Sequence, residues 1–532
     1  MSAGESGRTT VPGETSLPGA ASFGTTGPAP APRAPRTTLA VLDAPESGVG
    51  TSPSRPAPGK FRRSSLLTRG WWNTPRTVRA LTGLCLAALL GFTAVAATVL
   101  GGARDGIDTI GHQAAPQAVR AADLYFALSD MDAQAANLLL IGADHDFTTL
   151  RKQTQDTYEQ RRAQADTDLQ QAAMAAAADP AGQRAVQAVL GELGTYEALV
   201  ARAQLLEDQA APPAGKPSPA ALETYRQATD LLRQKLLPAA DQVTATNAAA
   251  VDRIYATQHG DLGAGWWWLL AAGVLTLVAL AVLQRTLAVR FRRVLNLPLA
   301  GVTLIAVAAL VTGLGLATRA DRDLVTAKRS AYDSVIAITR ARAVAYDMNA
   351  DESRYLTDPA RAVAYEQSFF DKTQAITRVD GATLATYNAR LAALAGTHRS
   401  DHGVVPFDGF LGTELRNITF PGEQDAAEKV LTAFQDYQKD DRKIRELRNI
   451  GRLKDAVTLN TGTGPGQSNG DFAILSDALD RVLMINQTAF DGAVTAADDD
   501  LDLGISVTGG LALALALALV TVGVRPRLRE YR

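Results

Sequence analysis

Between Arg79 and Arg104 the chain runs for twenty-four residues, Ala80 to Ala103, without a charge. As a helix rising about 1.5 Å per residue, that run is ~36 Å long, enough to cross a hydrocarbon core of ~30 Å with some tilt. Three more runs share its character: Leu262 to Gln284, Val294 to Thr318 and Leu503 to Val524. None contains Asp, Glu, Lys, Arg or His. Four membrane spans are therefore predicted, and the side of the membrane on which each one ends arranges the rest of the chain.

The flanking charges give the orientation. Lys60, Arg62, Arg63, Arg69, Arg76 and Arg79 gather before the first span with no acidic residue among them. The nine residues between spans two and three, 285–293, hold Arg285, Arg290, Arg292 and Arg293, and the tail at 525–532 is also basic. Cytoplasmic loops carry the excess of Lys and Arg, so both termini and the short loop are expected inside. The two long segments, 104–261 and 319–502, are then outside, with net charges of −8 and −7. The near-neutral total of −2 hides this polarity. A multi-pass protein of the plasma membrane is the predicted location.

Residues 1–79 begin with a stretch rich in Pro, Gly, Ser, Thr and Ala. It has too little apolar surface to offset its ordering entropy, so a disordered cytoplasmic tail is expected. Arg62 and Arg63 precede Ser64 and Ser65 in the manner of a basophilic kinase site, although a lipid-facing, orienting cluster is the favoured reading. Trp71 and Trp72 suit the inner headgroup belt, and Trp266 to Trp268 the outer one. The only cysteine, Cys85, lies inside the first span, which excludes an intramolecular disulfide and a cysteine metal site.

Both long segments read as helix throughout, with no strand pattern. In the first, Leu124, Leu128, Met131, Ala135 and Leu138 recur at three- and four-residue steps on one helix face. Further helices are expected over 148–178, 183–209 and from 219 into span two, where Pro238 predicts a kink. In the second, helices are expected from span three to Asp358, over 360–395, over 423–457 and from Asp471 into span four. Asp130-Met131-Asp132-Ala133 and Asp347-Met348-Asn349-Ala350 align 217 residues apart at similar distances from the preceding span. That alignment predicts a tandem repeat of span, four helices, span. The fold class is thus an all-α integral membrane protein with four transmembrane helices (80–103, 262–284, 294–318, 503–524) and two extracytoplasmic four-helix bundles.

Polar residues on these apolar faces are the candidates for ligand or partner recognition: Asp130, Asp132 and Asn137 in the first bundle, Arg342, Asn349, Glu352 and Arg354 in the second. Internal ion pairs of Arg342 or Arg354 with Asp351 or Glu352 are the simpler reading. Arg285, Arg290, Arg292 and Arg293 are the candidate cytoplasmic output. His398 and His402 are four apart, but beside a Gly/Pro loop and with no His-Glu-x-x-His pattern they do not read as a metal site. Asp498, Asp499, Asp500 and Asp502 read as a solvated helix end. No phosphate loop or nucleophile signature occurs, so neither an enzyme nor a cofactor is expected. Spans without ionisable groups also argue against transport.

Span, extracytoplasmic bundle, span resembles the sensory half of bacterial chemoreceptors and some histidine kinases, the run Met131, Asp132, Ala136, Asn137 being similar to their first helix. No kinase, cyclase or cytoplasmic coiled coil is expected from the residues between and after the spans. The whole layout is closer to the actinobacterial four-span coupling protein of the protein kinase G pathway. That resemblance implies a transmembrane signal coupler between an amino-acid-binding lipoprotein outside and a Ser/Thr protein kinase inside. Membrane lipids are the other expected partner, a homodimer is compatible with the sequence, and no nucleic acid is implied. A direct chemoreceptor-like sensor and an assembly factor of an envelope complex are the alternatives.

Overall fold

Three very long helical runs dominate the computed structural model, which describes residues 74–175, 180–291, 296–503 and 509–529. They cover Arg76–Ile141, Pro219–Arg290 and Leu297–Thr357, each long and apolar enough to cross a membrane. At 66, 72 and 61 residues they reach ~90–110 Å, about three times a hydrocarbon core. A fourth apolar helix, Gly510–Pro526, is shorter, and residues 504–508 of the predicted fourth span lie outside the described residues. All regular elements among the described residues are helices, and the one β pairing is an isolated bridge between Arg378 and Asp408.

The first run joins α1 (Thr74–Asp108) to α2 (Ala115–Ile141) through a π turn at Thr109–Ala114. α3 (Thr148–Ala175) and α4 (Pro180–Ala210) follow. α5 (Pro219–Leu231) continues through a π turn at Leu232–Leu236 into α6 (Leu237–Phe291). At Pro238, where the sequence predicts a kink, the missing N–H would have bonded the Gln234 carbonyl. The helix widens just before it instead, and the Leu237 N–H reaches back to the Leu232 carbonyl. Leu124, Leu128, Met131 and Ala135 of α2 meet Tyr158 and Leu169 of α3, Val189, Leu193 and Tyr196 of α4, and Tyr225, Leu232 and Val243 of the last run in one buried core. The apolar spacing read from the sequence is this core face.

In the second segment α7 (Leu297–Val325) passes through a third π turn, Thr326–Tyr332, into α8 (Asp333–Thr357). The π turns of the two corresponding runs start at Thr109 and Thr326, 217 residues apart. The single helix expected over 360–395 is two, α9 (Ala362–Ile376) and α10 (Tyr387–Ser400). Between them, the Tyr387 hydroxyl donates to the Thr377 carbonyl (2.8 Å) and the Val379 N–H to Gln374 Oε1 (2.8 Å), side-chain bonds that replace the helical ladder. The expected loop after α10 contains a short α11 (Gly409–Arg416). The helix expected over 423–457 breaks into α12 (Glu423–Asn449) and α13 (Leu453–Thr461). Gly451 there has φ +80°, and the Arg452 N–H closes on the Leu447 carbonyl, a left-handed helix stop that favours glycine. α14 (Ser468–Leu503) completes a core built from Ile338 and Met348, Phe369, Leu391, Leu411, Phe434 and Tyr437, and Leu475.

The apolar ends also pack together. Cys85 and Leu89, Leu280 and Leu283, Leu299 and Val302, and Ala516 and Val520 of α15 (Gly510–Arg529) share one cluster. Within it Gln284 Nε2 donates to Thr303 Oγ1 (2.7 Å) and Thr276 Oγ1 to the Ala88 carbonyl (3.1 Å), polar contacts that hold apolar helices in register.

Candidate functional site

The inner faces of α2 and α8 lie against each other, so the first helix of one segment is packed on the first helix of the other. Both are buried on nearly all sides, including positions that alternate away from the apolar stripe. A helix in such a place must find partners for every polar side chain that it carries.

Arg354 shows how this is met. Its side chain is the largest of those fully buried, and each guanidinium nitrogen is bonded. Nε donates to the Tyr225 hydroxyl (3.1 Å), Nη1 to Asp351 Oδ1 (2.5 Å) and Asp347 Oδ1 (3.3 Å), and Nη2 to Asp132. Asp132 comes from the other segment, and it accepts further bonds from Thr229 (3.0 Å) and Tyr196 (3.2 Å). Lys372 of α9 binds Asp347 Oδ2 (2.7 Å) and Asp351. Arg233, in the π turn before Pro238, lies 3.9 Å from Asp351 and donates to Ser368 (2.6 Å). Three carboxylates thus face three cations, and the cluster is formally neutral. Around it, Arg226 pairs with Asp358 (2.5 Å) and Arg361 with Asp230 (2.8 Å), a reciprocal exchange of charges between the segments.

Burial dominates the electrostatics here. It lowers the Arg354 guanidinium to about 10, which leaves it protonated at neutral pH. Burial also raises Asp351, against the opposing pull of Lys372, and holds Tyr225 and Tyr196 well above the ordinary phenol value as neutral donors. Each charge in the cluster is met by an opposite one. The cluster fixes the register of four helices from two segments.

Among the sequence-derived candidates, Asp132 and Arg354 meet directly. Asn137 joins the same seam by accepting from Ser353 (2.6 Å). Asp130 points to the other side of α2, where Arg161 binds it (2.6 Å) and burial raises its carboxyl despite that cation. Arg342 pairs with Asp480 (2.6 Å) and lies over the Phe126 ring (3.7 Å), not with Asp351 or Glu352. Glu352 accepts from Ser468 (2.6 Å) and Asn460 (2.9 Å), and burial raises it well above the carboxylate range. Asn349 faces Asn469 (3.4 Å). Arg285 and Arg290 lie in the last turns of α6, whereas Arg62, Arg63, Trp71, Trp72, Arg292 and Arg293 are outside the described residues. Lys372, Arg233, Thr229, Tyr196 and Tyr225 were not among the candidates. Their one sequence signal is a polar residue on an otherwise apolar stripe.

Comparison with known families reaches one half of this seam. Residues 106–256 match the model of an actinobacterial sensor domain. The matched stretch begins just before the first π turn, ends within α6 and contains Asp132, Arg161, Tyr225 and Arg233. It covers under a third of the chain, and Arg354 with its carboxylates lies outside it. No curated protein and no solved structure matches the chain. The match supports an actinobacterial sensor protein with a sensing or signalling role.

Proposed function

We propose that this protein is a four-span transmembrane signal coupler, with both termini cytoplasmic and the two helical segments outside as a tandem pair of bundles. The observation that carries the reading is the buried seam on helices that continue into the spans. Because Arg354, Asp132, Lys372 and Arg233 tie four helices together, displacement of one segment is transmitted to the other and to the spans below both. The 217-residue offset shared by the Asp-Met runs and the π turns supports a duplicated unit. In the layout that the chain resembles, the input is an amino-acid-binding lipoprotein outside and the reader a cytosolic Ser/Thr kinase. The basic residues 285–293 are the proposed output surface.

Crosslinked recovery of the tag-bearing protein from native membranes tests the partners. A solute-binding lipoprotein together with a Ser/Thr kinase is expected, and division or secretion machinery with neither would sink the coupler. Orientation is tested in a Cys85→Ala background with a membrane-impermeant maleimide on intact cells. Ser400→Cys should label and Val289→Cys should not; the reverse pattern would invert the topology.

A second reading, direct sensing of a small polar molecule, is favoured by a cavity of about 340 Å³ beside α9, α10 and α12. Phe370, Thr373, Asn388, Gln438 and Arg445 are among the residues that line it, and its size lies in the range of ligand pockets. A ligand-induced thermal shift that Gln438→Leu abolishes would favour this reading over the coupler.

A further inference from the structure

A second polar cluster, far from the seam in sequence and independent of the coupler reading, has different chemistry. His398 lies near the end of α10 and is completely buried, against Phe407. After the helix the chain turns back on itself: the Gly403 N–H donates to Asp401 Oδ1 and the Val404 N–H to the Asp401 carbonyl (both 3.0 Å). This brings the Val404 carbonyl to 2.9 Å from His398 Nδ1. A carbonyl only accepts, so Nδ1 carries the proton and Nε2 of the neutral ring presents a lone pair. That nitrogen has no hydrogen-bond partner although it is buried.

His398 Nε2 is aimed at Glu428, a residue of α12, with Oε1 4.0 Å away. The same Oε1 lies 2.7 Å from Nδ1 of His402, which follows His398 by four residues and sits in the turn. Donor atoms of all three side chains lie within 4.8 Å of one another. Ligands at ~2.0–2.1 Å from a tetrahedral ion are ~3.3 Å apart, so a small adjustment of the two outer side chains closes the set. They are free to adjust: the His402 side chain is 55% exposed and that of Glu428 25%. Gln424, one helical turn before Glu428, donates its amide to this same Oε1 and lies 3.3 Å from His402 Nδ1, so its side chain turns aside when an ion enters.

We propose that His398, His402 and Glu428 form a zinc site. The fixed tautomer with a carbonyl behind it is how metal-binding imidazoles are oriented, and the unpartnered buried nitrogen supplies the lone pair. Two imidazoles and one carboxylate suit Zn²⁺, whereas Ca²⁺ and Mg²⁺ require oxygen ligands. Three protein ligands leave a fourth position for water or an external group. The ion would clamp the turn after α10 onto α12. Asp401, the carboxylate beside the two histidines in sequence, accepts from the Gly403 N–H within the turn, and the fold supplies Glu428 from 26 residues beyond His402.

The test uses the tag-free full-length protein in detergent, stripped with chelator and titrated with Zn²⁺ against a chromophoric competitor. One zinc per chain is expected, with His402→Ala and Glu428→Gln each weakening it at least about tenfold and Co²⁺ giving the strong visible absorption of a four-coordinate site. Zn²⁺ should raise the melting temperature of the parent protein and not that of His402→Ala. His402 is exposed, so this variant is expected to keep the parent's far-UV circular dichroism and metal-free melting temperature. His402→Gln is the substitute should it not. Undiminished zinc affinity in both variants, or no zinc held against the competitor, would overturn the proposal.

Discussion

Removing the Arg354 guanidinium should do as much damage as any single change in the seam, and removing Asp132 as well should not add to it. In Arg354→Met, Asp132 loses its only cation, and Asp347 and Asp351 are left with Lys372 and the more distant Arg233. Isolating a fully buried charge in this way costs ~3–5 kcal/mol. Asp132→Leu is the mirror case, leaving three cations against two carboxylates, with a similar cost. In the double variant two carboxylates face two cations and neutrality returns. It should therefore be destabilised by no more than either single variant, a coupling of at least ~3 kcal/mol, whereas independent effects would sum to ~6–10 kcal/mol. Urea titrations of the four proteins in one mild detergent, followed by circular dichroism, give the cycle directly. Additive losses, or a loss below ~1 kcal/mol for Arg354→Met, would refute the view that these charges bind the segments together.

Three other outcomes follow from the structure. Burial, with the neighbouring Glu423, pushes Glu414 up to about 7, above its ordinary 4.5, so the folded state holds a proton that the unfolded state has lost. Its contribution is complete below pH ~4.5 and disappears as pH rises through 7. Melting between pH 5 and 8 should show Glu414→Gln losing ~1–3 kcal/mol less than the parent, with Asp440, also raised by burial to about 7, supplying remaining slope. Gly142→Ala should cost ~1–3 kcal/mol in a urea titration, because φ +60° and ψ −143° is a region kept for glycine and a Cβ there would meet the Pro212 carbonyl oxygen at 2.7 Å. Arg161→Met should cost ~1–3 kcal/mol by the same measurement, since Asp130 keeps only the Gln134 amide (2.6 Å) as partner and can relieve its burial by taking up a proton.

Periodicity revealed the helices that have one apolar face, such as α2 with Leu124, Leu128 and Met131, because that face is the core. It did not reveal where helices stop within a good pattern. The breaks at 377–386 and 450–452 depend on Tyr387 and Gln374 reaching loop backbone and on the left-handed turn at Gly451, each a local competition that an average over many residues hides. The site was half legible. Asp132 and Arg354 stand out as charges on buried helices, yet their pairing joins positions 222 residues apart, and only the packing of α2 on α8 selects it. The same reason separates His398 and His402, visible as a pair, from Glu428, which sequence spacing cannot bring to them.

The π turns bear on how the chain can be altered. Each carries a residue more than the surrounding α-helix requires, and one residue of α-helix is about 100° of rotation and about 1.5 Å of rise. Thr109–Ala114 and Thr326–Tyr332 therefore act as phase shifters: the angle at which α1 or α7 meets its neighbours is set separately from the angle at which α2 or α8 presents Asp132 or Arg354. Deleting one residue from either turn would let it close into α-helix with every seam contact and every apolar contact still encoded. The two lengths of that helix would then stay in step, whereas one residue deleted from the α-helix beside the turn would put them out of step by about 100°.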